Sequence, residues 1–233
     1  MRTQLLRAAL AVCLAACGGD LDPGSGNDPG TGTSTLFVDG DVEATPTITN
    51  ASRAADFSTH FQVAVRKNDA AVTTGEVTLT SNGGTVALVY DSGENRWVGQ
   101  QSGYHEVYEL SVTSGDDRVS GVRVDGPAPH HFTAPLPGAA VDATVPLAVR
   151  WDRDEAADIA QFETQEIGEL AIADTGSYTV PVGGLKSNGG EATEERLRLD
   201  RASQVTPAGA VVGSSVRVRI RNEIDLLVQA TGQ

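Results

Sequence analysis

The sequence predicts an all-β protein made of two antiparallel β-sandwiches in tandem, set behind a short export segment and a polar linker. Three observations predict it. From Thr35 onward apolar residues recur with a period of two, clusters of Gly, Asn, Asp and Ser punctuate that pattern every eight to twelve residues, and no extended amphipathic helix interrupts it.

The N-terminus has a different pattern. Residues 1–17 read MRTQLLRAALAVCLAAC, in which Arg2 and Arg7 form a positive n-region, Ala8 to Leu14 a short apolar h-region, and Leu14-Ala15-Ala16-Cys17 a small-residue cleavage box. The apolar run from Ala8 to Cys17 has ten residues, against the roughly 20 needed to span a bilayer, so it is not a transmembrane helix. The box resembles the lipobox of bacterial lipoproteins. That resemblance implies cleavage between Ala16 and Cys17, lipidation of the Cys17 thiol, palmitate among the acyl chains, and a mature chain starting at Cys17. A thiolate is the strongest nucleophile among common side chains, which suits it to alkylation by a lipid donor. Two or three acyl chains, at about 0.8 kcal/mol per buried methylene, hold a protein stably on a membrane. Gly18 stands where aspartate resembles an inner-membrane retention signal, which favours the outer membrane of the cell envelope.

Removal of residues 1–16 takes Arg2 and Arg7 and no carboxylate, so the net charge moves from −14 to −16. A surface of that sign repels phosphate backbones and argues against nucleic acid as a partner. Cys13 leaves with the signal and Cys17 carries the lipid, which leaves no cysteine for disulfides, thiolate metal sites or catalysis. Stability must then come from apolar cores, and the mature chain is long enough for one large or two medium ones.

Residues 17–34 are expected to be a disordered tether. Gly18 to Ser34 is rich in Gly, Asp, Pro, Ser and Thr, with Leu21 as its one large apolar side chain, too little to offset the entropy of ordering. Such a tether reaches about 20–25 Å. Its aspartates lack the spacing of a calcium loop.

The first sandwich is expected over residues 35–126. Phe61, Val63 and Val65 share one strand face, and Val77 and Leu79 another; Ser81-Asn82-Gly83-Gly84 turns the chain, and strands follow over Thr85 to Tyr90, Tyr104 to Thr113 and Val119 to Val124. The runs Val63-Ala64-Val65, Val77-Thr78-Leu79, Trp97-Val98-Gly99 and Tyr108 to Val112 resemble an immunoglobulin-like or carboxypeptidase-regulatory-like domain. That implies a fold and no activity.

Gly126-Pro127-Ala128-Pro129 interrupts the sheet pattern and marks the boundary to a second sandwich over residues 127–233. Val145, Leu147, Val149 and Trp151 face one side, and alternation returns at Leu170 and Ile172, Leu197 and Leu199, Val216 to Ile220 and Ile224 to Val228. Asp154 to Gln165 is the one segment with a short-helix pattern. The approach to Trp151, with Pro135 to Gly138 before it and Gly176 to Pro181 after, resembles a fibronectin-type-III-like sandwich, in which that tryptophan belongs to the core.

Chemistry-bearing motifs are sparse. His105-Glu106-Val107-Tyr108-Glu109 is one substitution from His-Glu-x-x-His, but on a strand residues four apart lie about 13 Å from each other, too far to share a metal. His130 and His131 are adjacent, point to opposite sides of a strand, and read as a surface linker pair. There is no Gly-x-Ser-x-Gly elbow and no phosphate loop. Trp97, after a turn, is the candidate stacking surface for a sugar ring, while a core position is its other reading. No catalytic residue, metal ligand or cofactor is assigned. The expectation is a non-catalytic protein, anchored to the membrane through lipid on Cys17, presenting two sandwiches to a protein or glycan partner. The alternative is a glycan- or calcium-binding surface module, with a hydrolase behind it.

Overall fold

The computed structural model describes residues 21–189 and 191–229; Ala16 and Cys17, with the rest of the expected signal segment, lie outside them. The described chain is all strand and turn. In the first half the strands are β1 (Thr31–Thr33), β2 (Leu36–Pro46), β3 (Phe57–Lys67), β4 (Ala70–Ala71), β5 (Glu76–Ser81), β6 (Gly84–Ala87), β7 (Val89–Asp91), β8 (Arg96–Ser102), β9 (Val107–Ser114) and β10 (Asp117–Asp125). In the second they are β11 (His131–Ala134), β12 (Ala140–Val141), β13 (Leu147–Asp152), β14 (Ile159–Thr164), β15 (Gly168–Ile172), β16 (Ser177–Val180), β17 (Thr193–Val205) and β18 (Ser215–Val228).

Period-two burial makes each a sheet element. β2 alternates without a break, burying Leu36, Val38, Val42 and Ala44 on one face. The segment expected as one strand from Thr85 to Tyr90 is two: β6 joins the five-stranded sheet β1-β10-β9-β5-β6, β7 joins the ten-stranded sheet, and buried Leu88 marks the crossing between them. The short-helix pattern over Asp154–Gln165 gives way to strand β14. There Ala160, Phe162 and Thr164 point inward, and the backbone pairs with both β15 and β17. Burial on a pleated face outweighs the weak local helix signal.

The two halves are not separate units. One ten-stranded sheet runs through both, in the order β15-β14-β17-β18-β2-β3-β8-β7, with β12 and β4 attached at β18 and β3. The five-stranded sheet covers one end of it and the three-stranded sheet β11-β13-β16 lies at the other. The boundary expected at residues 126 and 127 marks where the chain first leaves the first core, but the hairpin β17–β18 returns to it. Val205, Val216 and Val218 are buried with Val38, Phe61 and Leu110, whereas Leu197, Leu199, Ile224, Leu226 and Val228 pack with Phe132, Trp151 and Phe162.

Charge holds the register of the long hairpin and its neighbour. On the outer face Arg217 and Arg219 reach Asp41 at 3.2 and 2.9 Å, Arg219 and Arg221 reach Glu43 at 2.7 and 3.0 Å, and Arg221 grips Asp200 at 2.7 and 2.8 Å. The Asp200 hydrogen bonds raise the Arg221 pKa further above its usual value. Further along, Arg198 meets Glu223 and Glu163, and Arg196 meets Asp225. A one-residue slip of β18 against β2 carries these guanidinium groups into the core, so the parallel pairing is strongly specified.

Residues 21–34, expected as part of a free tether, lie against the first sandwich. Leu21 exchanges two 2.8 Å hydrogen bonds with the Asn82 side chain, Asp28 and Arg123 pair through their backbones at 3.0 and 2.9 Å, and β1 runs antiparallel to β10. Glycine permits the close approach: a Cβ on Gly32 lies 2.5 Å from the Arg118 carbonyl oxygen and 3.0 Å from that of Ala208. Gly32→Ala is therefore expected to lower the unfolding free energy of the protein by about 1–3 kcal/mol in urea titration. A tether free of the body leaves it unchanged.

Candidate functional site

In the inward rows of β17 and β18, Arg201 and Asn222 are diagonal neighbours set among apolar residues, Arg201 opposite Ile220 and Asn222 opposite Leu199. In β17 the inward residues run Leu197, Leu199, Arg201, Ser203 and Val205; in β18 they run Val218, Ile220, Asn222, Ile224 and Leu226. Arg201 and Asn222 are 1 % and 2 % exposed. They form, with His130 and Asp174, a polar layer between the two apolar cores.

A guanidinium in such a place must have every donor satisfied. Arg201 Nε donates to Asp174 Oδ2 at 2.8 Å, Nη1 to the Ala128 carbonyl at 2.9 Å, and Nη2 to the Glu155 carbonyl. Asp174 accepts in addition from Trp151 Nε1 at 2.9 Å and from the Ala157 amide at 2.8 Å, and lies 3.6 Å from Arg153 Nε. Burial alone raises the Asp174 pKa, but the Ala157 amide, the Trp151 indole and Arg201 together bring it below the usual carboxylate value. Trp151 is a core residue with its one polar atom paired, as the strand pattern predicts.

Asn222 Nδ2 donates to the backbone carbonyls of Ser52 and His130, at 3.2 and 3.3 Å. His130 itself is not on a surface linker. It is 2 % exposed, neither ring nitrogen makes a well-aligned hydrogen bond, the Leu199 backbone offering only a weak one, and it sits edge-on to Phe132. Burial, and after it the Arg201 charge, lower its pKa to about 3, so it is neutral. His131 points the other way, to the surface, where Nε2 meets Asp152 at 2.9 Å.

Above this layer lies a cleft of about 470 Å³ between Pro23–Asn27, the start of β9, the Asp125–Ala128 crossing and the 154–158 loop. Ala128 and Glu155, both gripped by Arg201, stand on its opposite lips. Its carboxylates are Glu106, Asp125, Asp154, Glu155 and Asp158. Asp125 is occupied: Gly24 and Gly26 amides donate to Oδ2 at 3.0 and 2.9 Å, and Arg123 Nε to Oδ1 at 2.8 Å. Glu106 holds the left-handed conformation at φ 57°, uncommon for a side chain of its size. Burial, then the Asp154 charge, raises its pKa. This lining favours cations and amines over phosphates. Among the described residues no three His, Cys, Asp or Glu side chains are grouped to hold a metal.

Trp97 does not fit the stacking role given to it as a candidate. It is 6 % exposed, its Nε1 donates to the Val72 carbonyl at 2.9 Å, and Tyr90 packs edge-on against it at 5.7 Å. Both ring faces are taken up by the first core, so none is left for a sugar. Of the near-match His105 to Glu109, Val107 to Glu109 lie in strand β9 as the pattern predicts, whereas His105 and Glu106 stand in the loop before it. Elsewhere, a 320 Å³ cleft at the far end of the second core includes Glu195, whose buried carboxylate accepts the Gln165 and Lys186 amides at 2.8 and 2.6 Å and so fastens two loops.

No family model matches the chain, and no curated protein matches it.

Arg201 and Asn222 escaped the sequence reading, although a signal for them exists. Polar breaks in otherwise apolar inward rows, Arg201 and Ser203 in one strand and Asn222 diagonally across in the next, mark a layer where two cores meet.

Proposed function

We propose that this chain is a non-catalytic, lipid-anchored protein of the bacterial cell envelope, outer membrane by preference, that presents a rigid two-core β-scaffold to a protein or glycan partner. The observation that carries this reading is the box Leu14-Ala15-Ala16-Cys17 behind a positively charged, short apolar stretch. The polar groups at the junction support the non-catalytic part: every Arg201 nitrogen has a partner in Asp174 or a backbone carbonyl, and Asp174 also accepts from the Trp151 indole and the Ala157 amide, which suits a clamp rather than a reacting pair. The acidic cleft and the net negative charge favour partners that are neutral or cationic at the contact.

Cys17 is the point of test. Cells fed labelled palmitate are expected to incorporate it into the wild-type chain and not into Cys17→Ser, and the variant is expected to leave the membrane fraction or accumulate as precursor. Undiminished labelling of Cys17→Ser removes the anchor from this reading.

A further inference from the structure

We infer that residues 21–36 are a strap that fixes the orientation of the body on its membrane, with the junction cleft turned toward the lipid head groups and the 207–213 loop turned away. This rests on lipidation of Cys17.

The strap is fastened along its whole length. Asn82 takes both backbone groups of Leu21. Asp125 takes the amides of Gly24 and Gly26, and Asn27 Oδ1 accepts the Asp125 amide at 2.8 Å. Arg123 Nη2 donates to the Asp22 carbonyl, the Ala208 amide to the Pro29 carbonyl at 2.7 Å, and the Thr35 amide to Asp117 at 2.8 Å. It therefore runs from the Asp125 end of β10 to its Asp117 end.

The length of chain left over sets the geometry. Three residues, Gly18 to Asp20, lie between Cys17 and Leu21, so the four steps span at most about 14 Å in any conformation. That is shorter than the reach of 20–25 Å expected for a 17-residue free tether. The backbone at Leu21, held by the Asn82 turn, consequently stays within about that distance of Cys17, and the cleft wall at Pro23 and Gly24, two and three residues further on, within about 25 Å. Val211, bonded to Leu36 at 2.8 Å, and Val212, 97 % exposed, belong to the opposite end. The nine residues of β10 place that end about 26 Å further off. A ligand of the cleft then meets it close to the membrane surface.

The mature chain has no cysteine besides Cys17, so single labels are readily introduced. The acylated full-length protein, purified from membranes as Ala156→Cys or Val212→Cys and labelled with a fluorophore, is placed in phosphatidylcholine–phosphatidylethanolamine vesicles carrying a nitroxide on the head group. Ala156 lines the cleft and is exposed. Quenching is expected to be severalfold stronger at position 156 than at 212. The difference is expected to vanish when about fifteen Gly and Ser residues, worth about 20 Å of reach, are inserted before Leu21. Equal quenching at the two positions in acylated protein overturns the orientation alone. A mass spectrum showing Cys17 without acyl chains overturns the anchor and the orientation together.

Discussion

Replacing Arg201 by Met is expected to lower the unfolding free energy by about 3–5 kcal/mol, the usual cost of stripping the partner from a buried charge. Arg201 and the Asp174 carboxylate are each 1 % exposed, so neither has water to fall back on. Removing the guanidinium leaves Asp174 with its Trp151 and Ala157 hydrogen bonds but without its principal counter-charge. It also frees the Ala128 and Glu155 carbonyls on the two lips of the cleft. The informative comparison is a double-mutant cycle with Asp174→Asn, which keeps an acceptor for the indole and the amide while removing the charge. Most of the penalty is charge isolation, so the double variant is expected to be clearly more stable than the sum of the single losses predicts. Urea denaturation of the four proteins gives the coupling directly. Strict additivity, or a loss below about 1 kcal/mol for Arg201→Met, shows that the pair is not what joins the two cores.

The strand content was legible because burial imposes a period that survives in the amino-acid order: Phe61, Val63 and Val65, or Val216 through Val228, cannot be arranged otherwise without exposing one apolar face. What escaped was set by partners distant in sequence. Asp39, Asp41 and Glu43 alternate in β2 as Arg217, Arg219 and Arg221 do in β18, but nothing local says that residues some 176 positions apart are neighbours. The Gly, Asp and Pro composition of residues 18–34 suits a disordered chain equally well as a docked one. Only the carbonyls of Arg118 and Ser120, crowding Gly32 and Gly30, show that those glycines are there for close approach. Trp97 was ambiguous for the same reason: a tryptophan after a turn is core or surface according to what is folded over it, here Val72 and Tyr90. The candidate site was the least legible, since its polar layer is drawn from four separate strands and loops.

That layer makes acid stability the second sensitive property. The His130 ring is packed between the cores near Arg201, Asp174 and His131, and its folded pKa of about 3 lies below its ordinary value of 6.5. Between those two values the unfolded chain binds a proton that the folded chain does not, so stability rises with pH across that window. It is fully present above pH 6.5 and is lost as the pH falls toward 3. The slope approaches about 1.4 kcal/mol per pH unit, which amounts to about 2–3 kcal/mol between pH 6.5 and 4.5. The Asp174 carboxyl, held below its usual value, keeps its charge over that interval in any variant compared. His130→Met fills the site with an apolar side chain of similar size and removes two ring nitrogens that make no well-aligned hydrogen bond. The variant is therefore expected to equal the wild type or exceed it at pH 7, and to gain on it steadily as the pH is lowered. Urea midpoints at pH 7, 6, 5 and 4.5 measure this; curves that run parallel for the two proteins rule out His130 as the acid-sensitive group between the cores.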